Sequence, residues 1–201
     1  MRKKSHISLA KFLMISMQVQ DLEEHKKSFY IGSILPDLKP SFLTKRHTFD
    51  ETFEILTNEI KKITVDYDIN KGINGYYARH LGVITHYLSD YCTFPHNEIF
   101  DGSISAHMQY EKELKFSLKE YINCLDTQRE KRQCQIFYSL DELLLFIIQT
   151  HKEYLKALKC IHKDIQYIID LCYKVVDAIL SFFQKAFSQM HNGLGQVLIE
   201  E

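Results

Sequence analysis

The sequence predicts an all-α fold. Two observations carry this: the 201 residues contain only 7 Gly and 3 Pro, too few turn signals for a many-stranded β protein, and apolar residues recur at three-to-four spacing in segment after segment. Hydrophobic residues make up 45% and charged residues 25%, so the chain has enough apolar surface to bury a core and is expected to fold as a single domain over residues 1–201. A formal net charge of -1 supplies no global field for nucleic acid or anionic membrane, which leaves anion binding to local groups.

The elements follow in order. Ser5 is placed as the N-cap of a first helix, about His6 to Gln18, with Leu9, Phe12, Leu13 and Met17 on one face. The basic start followed by "FLMISM" imitates a secretion signal, but Lys11 interrupts the apolar run and no small-residue cleavage site follows. An amphipathic helix and a cytoplasmic location are therefore expected. No apolar run approaches the roughly 20 residues needed to span a bilayer. A second helix is expected after Asp21, with Glu23 and Glu24 near its positive end, fading at Gly32. In "ILPDLKPSF", Pro36 and Pro40 bracket Asp37 in an extended or turning segment, because proline disfavours helix in the residue before it. His47 to Ile63 reads as a third helix and "VDYDINKG" as a loop.

Asn74 to about Thr93 reads as a fourth, apolar helix, which Pro95 ends. Ser105 to Leu125 is a fifth, followed by the charged connection "DTQREKRQ". Ser139 caps a sixth, with Asp141 and Glu142 in its first turn, and Asp164 to about Met190 gives a seventh, dense in Ile, Leu, Val and Phe. The five cysteines, Cys92, Cys124, Cys134, Cys160 and Cys172, are odd in number and never in a Cys-x-x-Cys pair, so they read as reduced core thiols.

Two of these helices each present a histidine and a carboxylate four residues apart: His86 with Asp90, and His107 with Glu111. Residues at i and i+4 lie one turn apart on one face, so each pair could close on a single ion. One such pair reads equally as a solvated surface interaction; two, with His96 after Pro95 in the loop between them, favour a metal site. Asp37 between its prolines, His47 at a helix entrance and His6 near the first helix start extend the set. All the donors are nitrogen or oxygen, which suits hydrolytic zinc, and more than four of them imply more than one ion.

The stretch "HYLSDYCTFPHN" (His86 to Asn97) resembles a segment of the bacterial zinc-dependent phospholipases C, which share a helical fold with fungal zinc-dependent single-strand nucleases. His86, Tyr87, Asp90 and His96 match with the family spacing, and His107 with Glu111 matches its later His-x-x-x-Glu; the resemblance covers residues 6 to 111. It implies that Asp37, His47, His86 and Asp90 hold a first zinc, His96, His107 and Glu111 a second, and His6 a third that Asp90 bridges to the first. It also makes Asp37 the candidate general base. The implied reaction is hydrolysis of a phosphodiester, with metal-activated water attacking the phosphorus of a phospholipid head group. Secreted members complete the third site with the backbone amine and carbonyl of an N-terminal tryptophan. This sequence has no tryptophan, so two or three zinc ions are expected. Pro95 stands directly before His96, whereas the family places its proline one residue earlier.

The remaining candidates have plainer readings. His80 points about 120° from His86 on an ideal helix and reads as a packed or capping residue. His25, His151, His162 and His191 lack carboxylate partners and read as surface groups. Arg46 could contact a substrate phosphate or simply be exposed; the basic run in "QREKRQ" reads as a solvated linker. Absence of a His-Asp dipeptide, of Glu-x-x-His and of His-Glu-x-x-His argues against other helical metal enzymes. Two alternatives to a phospholipase remain: a nuclease or other small-phosphodiester hydrolase, and a non-catalytic helical metal-binding protein. Peripheral contact with a membrane fits a phospholipid substrate; nucleic acid ranks second.

Overall fold

The computed structural model describes residues 1–38, 47–128 and 135–197, with side chains given except at 125–128 and 191–197. Among the described residues there are eight α-helices and no strand: α1 Lys3–Met17, α2 Gln20–Glu24, α3 Lys26–Ile34, α4 Phe49–Lys62, α5 Gly75–Tyr91, α6 Ile104–Gln128, α7 Leu140–Lys156 and α8 Ile161–Val197. The all-α reading holds. Pro40, Arg46, Cys134 and most of the "QREKRQ" run lie outside the described residues, as does the side chain of His191.

The centre of the molecule is α5. Its N-terminus is fixed by Asn74, whose side chain accepts from the backbone N–H groups of Tyr76 (2.9 Å) and Tyr77 (3.1 Å), two donors that have no partner inside the helix. From Leu81 to Tyr91 every residue is buried, because α1, α3, α4 and α8 pack around it. Burial on all sides explains why this segment shows little amphipathic contrast while carrying two polar residues, His86 and Asp90, at its core.

Helices α3 and α5 touch backbone to backbone. A Cβ on Gly32 would lie 2.0 Å from the Arg79 carbonyl oxygen, and one on Gly82 would lie 2.2 Å from the Phe29 carbonyl oxygen. The sequence reading took Gly32 as a helix stop. It is instead a contact point, and α3 runs on to Ile34, while the break falls at His25, whose φ of -106° and ψ of 19° leave the helical region. The close crossing sets the turn Pro36–Leu38, with Asp37, against the C-terminal half of α5.

Other boundaries shifted for similar tertiary reasons. Arg2, not Ser5, occupies the N-cap of α1, and Ser5 is buried inside the helix with no partner for its hydroxyl. The turn is drawn inward because His6, Leu9, Ala10 and Leu13 form a buried face. Ser139 caps α7 as expected, accepting from Glu142 N–H at 3.2 Å. α8 begins at Ile161, ahead of the expected Asp164. Cys92 and Cys172 are buried thiols as read, but Cys124 and Cys160 are exposed, one on the outer face of α6 and the other in the connection before α8.

His80 does not cap a helix but packs against α4: its Nδ1 meets Glu59, which also accepts from Lys62 at 2.7 Å. Burial works against the charge of Glu59, but His80 and Lys62 outweigh it and hold the carboxyl below its ordinary value of 4.5. The stability this gives is fully present above the unfolded value and is lost as pH falls through the lower folded one. Glu59→Gln is thus expected to lower the urea midpoint at pH 7 and to converge on wild type as pH falls through the depressed folded value; a difference that stayed constant with pH would show that the ionic pairing is not its source.

Candidate metal centre

Three polar groups converge where α1, α3, α5 and α6 meet. In the first, His47 Nδ1 lies 2.9 Å from His86 Nε2, and Asp90 Oδ2 lies 3.2 Å and 3.3 Å from these two nitrogens. Asp37 Oδ1 completes the figure at 3.8 Å from His47 Nδ1 and 3.7 Å from His86 Nε2. A tetrahedral zinc with ligands at about 2.0–2.2 Å has ligand atoms roughly 3.3–3.6 Å apart. The observed spacings bracket that range.

The tautomers point the same way. His86 Nδ1 donates to the carbonyl oxygen of Ser33 at 2.9 Å, an acceptor left free in the last turn of α3, so His86 Nε2 turns a bare lone pair towards His47 and the carboxylates. The hydroxyl of Ser89 donates to the His86 carbonyl at 2.8 Å and has no second proton. His6 Nδ1, 3.2 Å from that hydroxyl oxygen, must therefore be the donor. His6 Nε2 is left buried without a hydrogen-bond partner, 3.5 Å from Asp90 Oδ1. A buried ring nitrogen with no hydrogen-bond partner beside a carboxylate oxygen is a pair that could hold a metal ion. His6 also stacks on His86, with ring centres 4.1 Å apart.

The group His96, His107 and Glu111 lies nearer the surface. Glu111 Oε1 is 3.5 Å from His96 Nε2 and 3.4 Å from His107 Nε2, and His96 Nδ1 is 3.6 Å from Asp90 Oδ2. All eight candidates from the sequence are thus brought together, and Asp90 touches every subgroup. The donors, all imidazole or carboxylate, fit zinc by their chemistry.

One participant escaped the sequence reading. The amino nitrogen of Met1 sits 2.6 Å from Asp90 Oδ1, 3.1 Å from His96 Nε2 and 3.4 Å from Glu111 Oε1. The group that enters the site is a backbone amine, which carries no side-chain signature in the sequence. Burial opposes its charge, but Asp90, Glu111 and Asp37 outweigh that and raise its pKa. Burial likewise opposes ionisation of Asp90, yet the Met1 ammonium and the rings of His96, His86 and His6 hold it well below the carboxylate range. Burial lowers the pKa of His6 and of His96. Asp37 moves the other way: burial, with Asp90 close by, lifts its carboxyl, as suits a proton acceptor.

His151, read from the sequence as a surface residue, is buried. It meets Asn97 Oδ1 at 2.9 Å and stacks on Phe49 with ring centres 4.2 Å apart, a partnership between α7 and the start of α4 that no local pattern announces.

The site opens into a cleft of about 1200 Å³. Arg2, Lys3, Lys4 and Lys115 line one part of it, and Phe100, Ile104 and Met108 give it an apolar wall. A family model for zinc dependent phospholipase C matches residues 5–161. The chain belongs to that family. The match reaches past the residue 111 at which the sequence resemblance ended and takes in α7, which packs on α8. No curated protein and no solved structure matches the chain. Among the described residues, no helix is long and apolar enough to cross a membrane.

Proposed function

We propose that this phospholipase C family member is a zinc-dependent phosphodiesterase that hydrolyses phospholipid head groups. The observation that carries the reading is the convergence of His47 Nδ1, His86 Nε2, Asp90 Oδ2 and Asp37 Oδ1 at zinc-ligand spacing beneath the cleft. His47, His86, Asp90 and Asp37 would hold one ion, His96, His107 and Glu111 a second, and His6 with Asp90 a third. Zinc, when bound, supplies Lewis acidity to polarise a phosphoryl oxygen and to acidify water. Asp37 lines the cleft, and its carboxylate would take the proton of the attacking water. Arg2, Lys3 and Lys4 bring positive charge to the mouth, where a phosphate would enter. Phe100, Ile104 and Met108 offer an apolar surface to the glycerol and acyl portion; Ile104 is 82% exposed, which water alone does not favour.

A zinc count and a substrate panel on one sample test this. Protein purified without chelator is expected to carry two or three zinc ions, to hydrolyse phosphatidylcholine or another phospholipid, to lose activity with chelator and to regain it with zinc. Fewer than two ions per chain would sink the polynuclear site. Zinc-replete protein that cleaves single-stranded nucleic acid or a generic phosphodiester in preference to lipid would transfer the activity to the nuclease-like alternative. One that cleaves nothing would favour the non-catalytic reading.

A further inference from the structure

Asp164 is a fully buried carboxylate that the zinc reading does not use. It lies in the first turn of α8, three residues beyond the stretch matched by the family model. Burying a carboxylate is costly unless hydrogen bonds replace the water it gives up. Asp164 Oδ2 accepts from the backbone N–H of Phe94 at 3.3 Å and from the hydroxyl of Tyr110. Its Oδ1 is buried without a well-formed hydrogen bond. Burial pushes the carboxyl above its ordinary range, against the hydroxyls of Tyr110 and Tyr154, the Phe94 N–H and the charge of Lys159. A half-satisfied buried carboxylate is a poor source of stability, so its use is sought in geometry.

The two donors come from the two elements that must meet at the second metal group. Phe94 opens the turn Phe94–His96 that delivers His96. Tyr110 precedes Glu111 on α6 and lies three residues after His107. One carboxylate oxygen therefore ties the His96 turn to the helix that carries both other donors. The far side of the same turn is held separately: Asn97 receives His151 at Oδ1, and its Nδ2 donates to the carbonyls of Thr93 at 2.9 Å and Tyr91 at 3.3 Å. His96 stands between these anchors, with its Nε2 3.5 Å from Glu111 Oε1.

We propose that Asp164 is a positioning residue for the group His96, His107 and Glu111: by accepting from Phe94 N–H and Tyr110 OH it sets the distance between the His96 turn and α6. The proposal rests on the zinc reading above. Groups hydrogen-bonded to a ligand change metal affinity by roughly ten- to a hundredfold when removed; Asp164 acts through Phe94 and Tyr110, the chain neighbourhood of His96 and Glu111, so the lower end of that range is expected.

The test uses the full chain with Tyr110→Phe and Asp164→Leu, Asp164→Asn as the conservative rescue, and Ile179→Val in the buried face of α8 as a stability control. Zinc affinity is read by competition with a chromophoric chelator, and amide exchange at Phe94 is read in metal-free protein. Tyr110→Phe and Asp164→Leu are expected to weaken one class of zinc by about tenfold, leaving the other class as in wild type. Asp164→Asn, which keeps an acceptor oxygen, recovers most of that loss, and Ile179→Val leaves every class unchanged. Asp164→Leu is also expected to quicken exchange of the Phe94 amide. Zinc classes that all weaken together, in the control as well, would show a merely structural role and overturn the proposal, as would unchanged affinity in both variants. A wild-type chain that binds no zinc defeats the zinc reading and the metal-positioning role with it. The Phe94 exchange then decides the hydrogen-bonded clamp separately, and unchanged exchange in Asp164→Leu removes that as well.

Discussion

Asp90→Asn is expected to reduce phosphodiester turnover by on the order of a thousandfold, about 4 kcal/mol of transition-state stabilisation, and to lower the zinc content of the purified protein. The reason is the position of this carboxylate. Oδ1 accepts from the Met1 amine at 2.6 Å and faces His6 Nε2, while Oδ2 faces ring nitrogens of His47, His86 and His96 within 3.6 Å. An amide of the same shape can offer one oxygen but no negative charge, so it can neither offset the charge of bound metal nor pair with the Met1 ammonium. The substitution preserves volume, so the helical circular dichroism should persist while metal and turnover fall. In metal-free protein the folded pKa of Asp90 is depressed, so its stabilisation is present above its ordinary value of 3.8 and is lost as pH falls through the folded value. The Tm gap between wild type and Asp90→Asn should accordingly be wide at pH 7 and close in acid. Full zinc content and full turnover in Asp90→Asn would remove this residue from the centre.

Gly82→Ala is expected to lower the Tm by roughly 2–8 °C, although helix propensity alone predicts a gain of about 1 kcal/mol for replacing an interior glycine. Crowding decides the sign. The new Cβ would lie 2.2 Å from the Phe29 carbonyl oxygen and 2.8 Å from Ser33 N, both backbone atoms of α3, so no side-chain rotation relieves it and the helix itself must move. Overpacking of this kind costs about 1–3 kcal/mol, and here it must also overcome the propensity gain. Because α3 ends in the Ser33 carbonyl that orients His86 and leads into Asp37, the displacement should weaken zinc binding as well as folding. Chelator competition and a thermal melt on the same variant check both; an unchanged or raised Tm would show that α3 and α5 do not approach as described.

Much of the centre was legible before any coordinates. His86 with Asp90 and His107 with Glu111 could be paired because helical geometry alone brings i and i+4 to one face. Pro95 ended α5 on schedule, which put His96 in a turn. The misreadings share a cause. Gly32 looked like a stop and is a helix contact; Ser5 looked like a cap and is core; His151 looked solvated because its partner, Asn97, lies 54 residues away. Cys124 and Cys160 carry no local mark that separates an exposed thiol from the buried Cys92 and Cys172. In each case the residue type was known and its neighbours were not.

By itself the sequence determined the helical class, most of the element order and the inventory of nitrogen and oxygen donors, because periodicity, proline positions and side-chain chemistry are local properties. Only the tertiary structure decided that His6 stacks on His86, that the Ser33 carbonyl sets the His86 tautomer, and that the Met1 amine reaches an aspartate 89 residues along the chain. Those distances are set by how closely α3 crosses α5 and by where α1 and α6 pack. Helix crossings depend on the whole set of surfaces that must fit together, and no window of sequence contains that set.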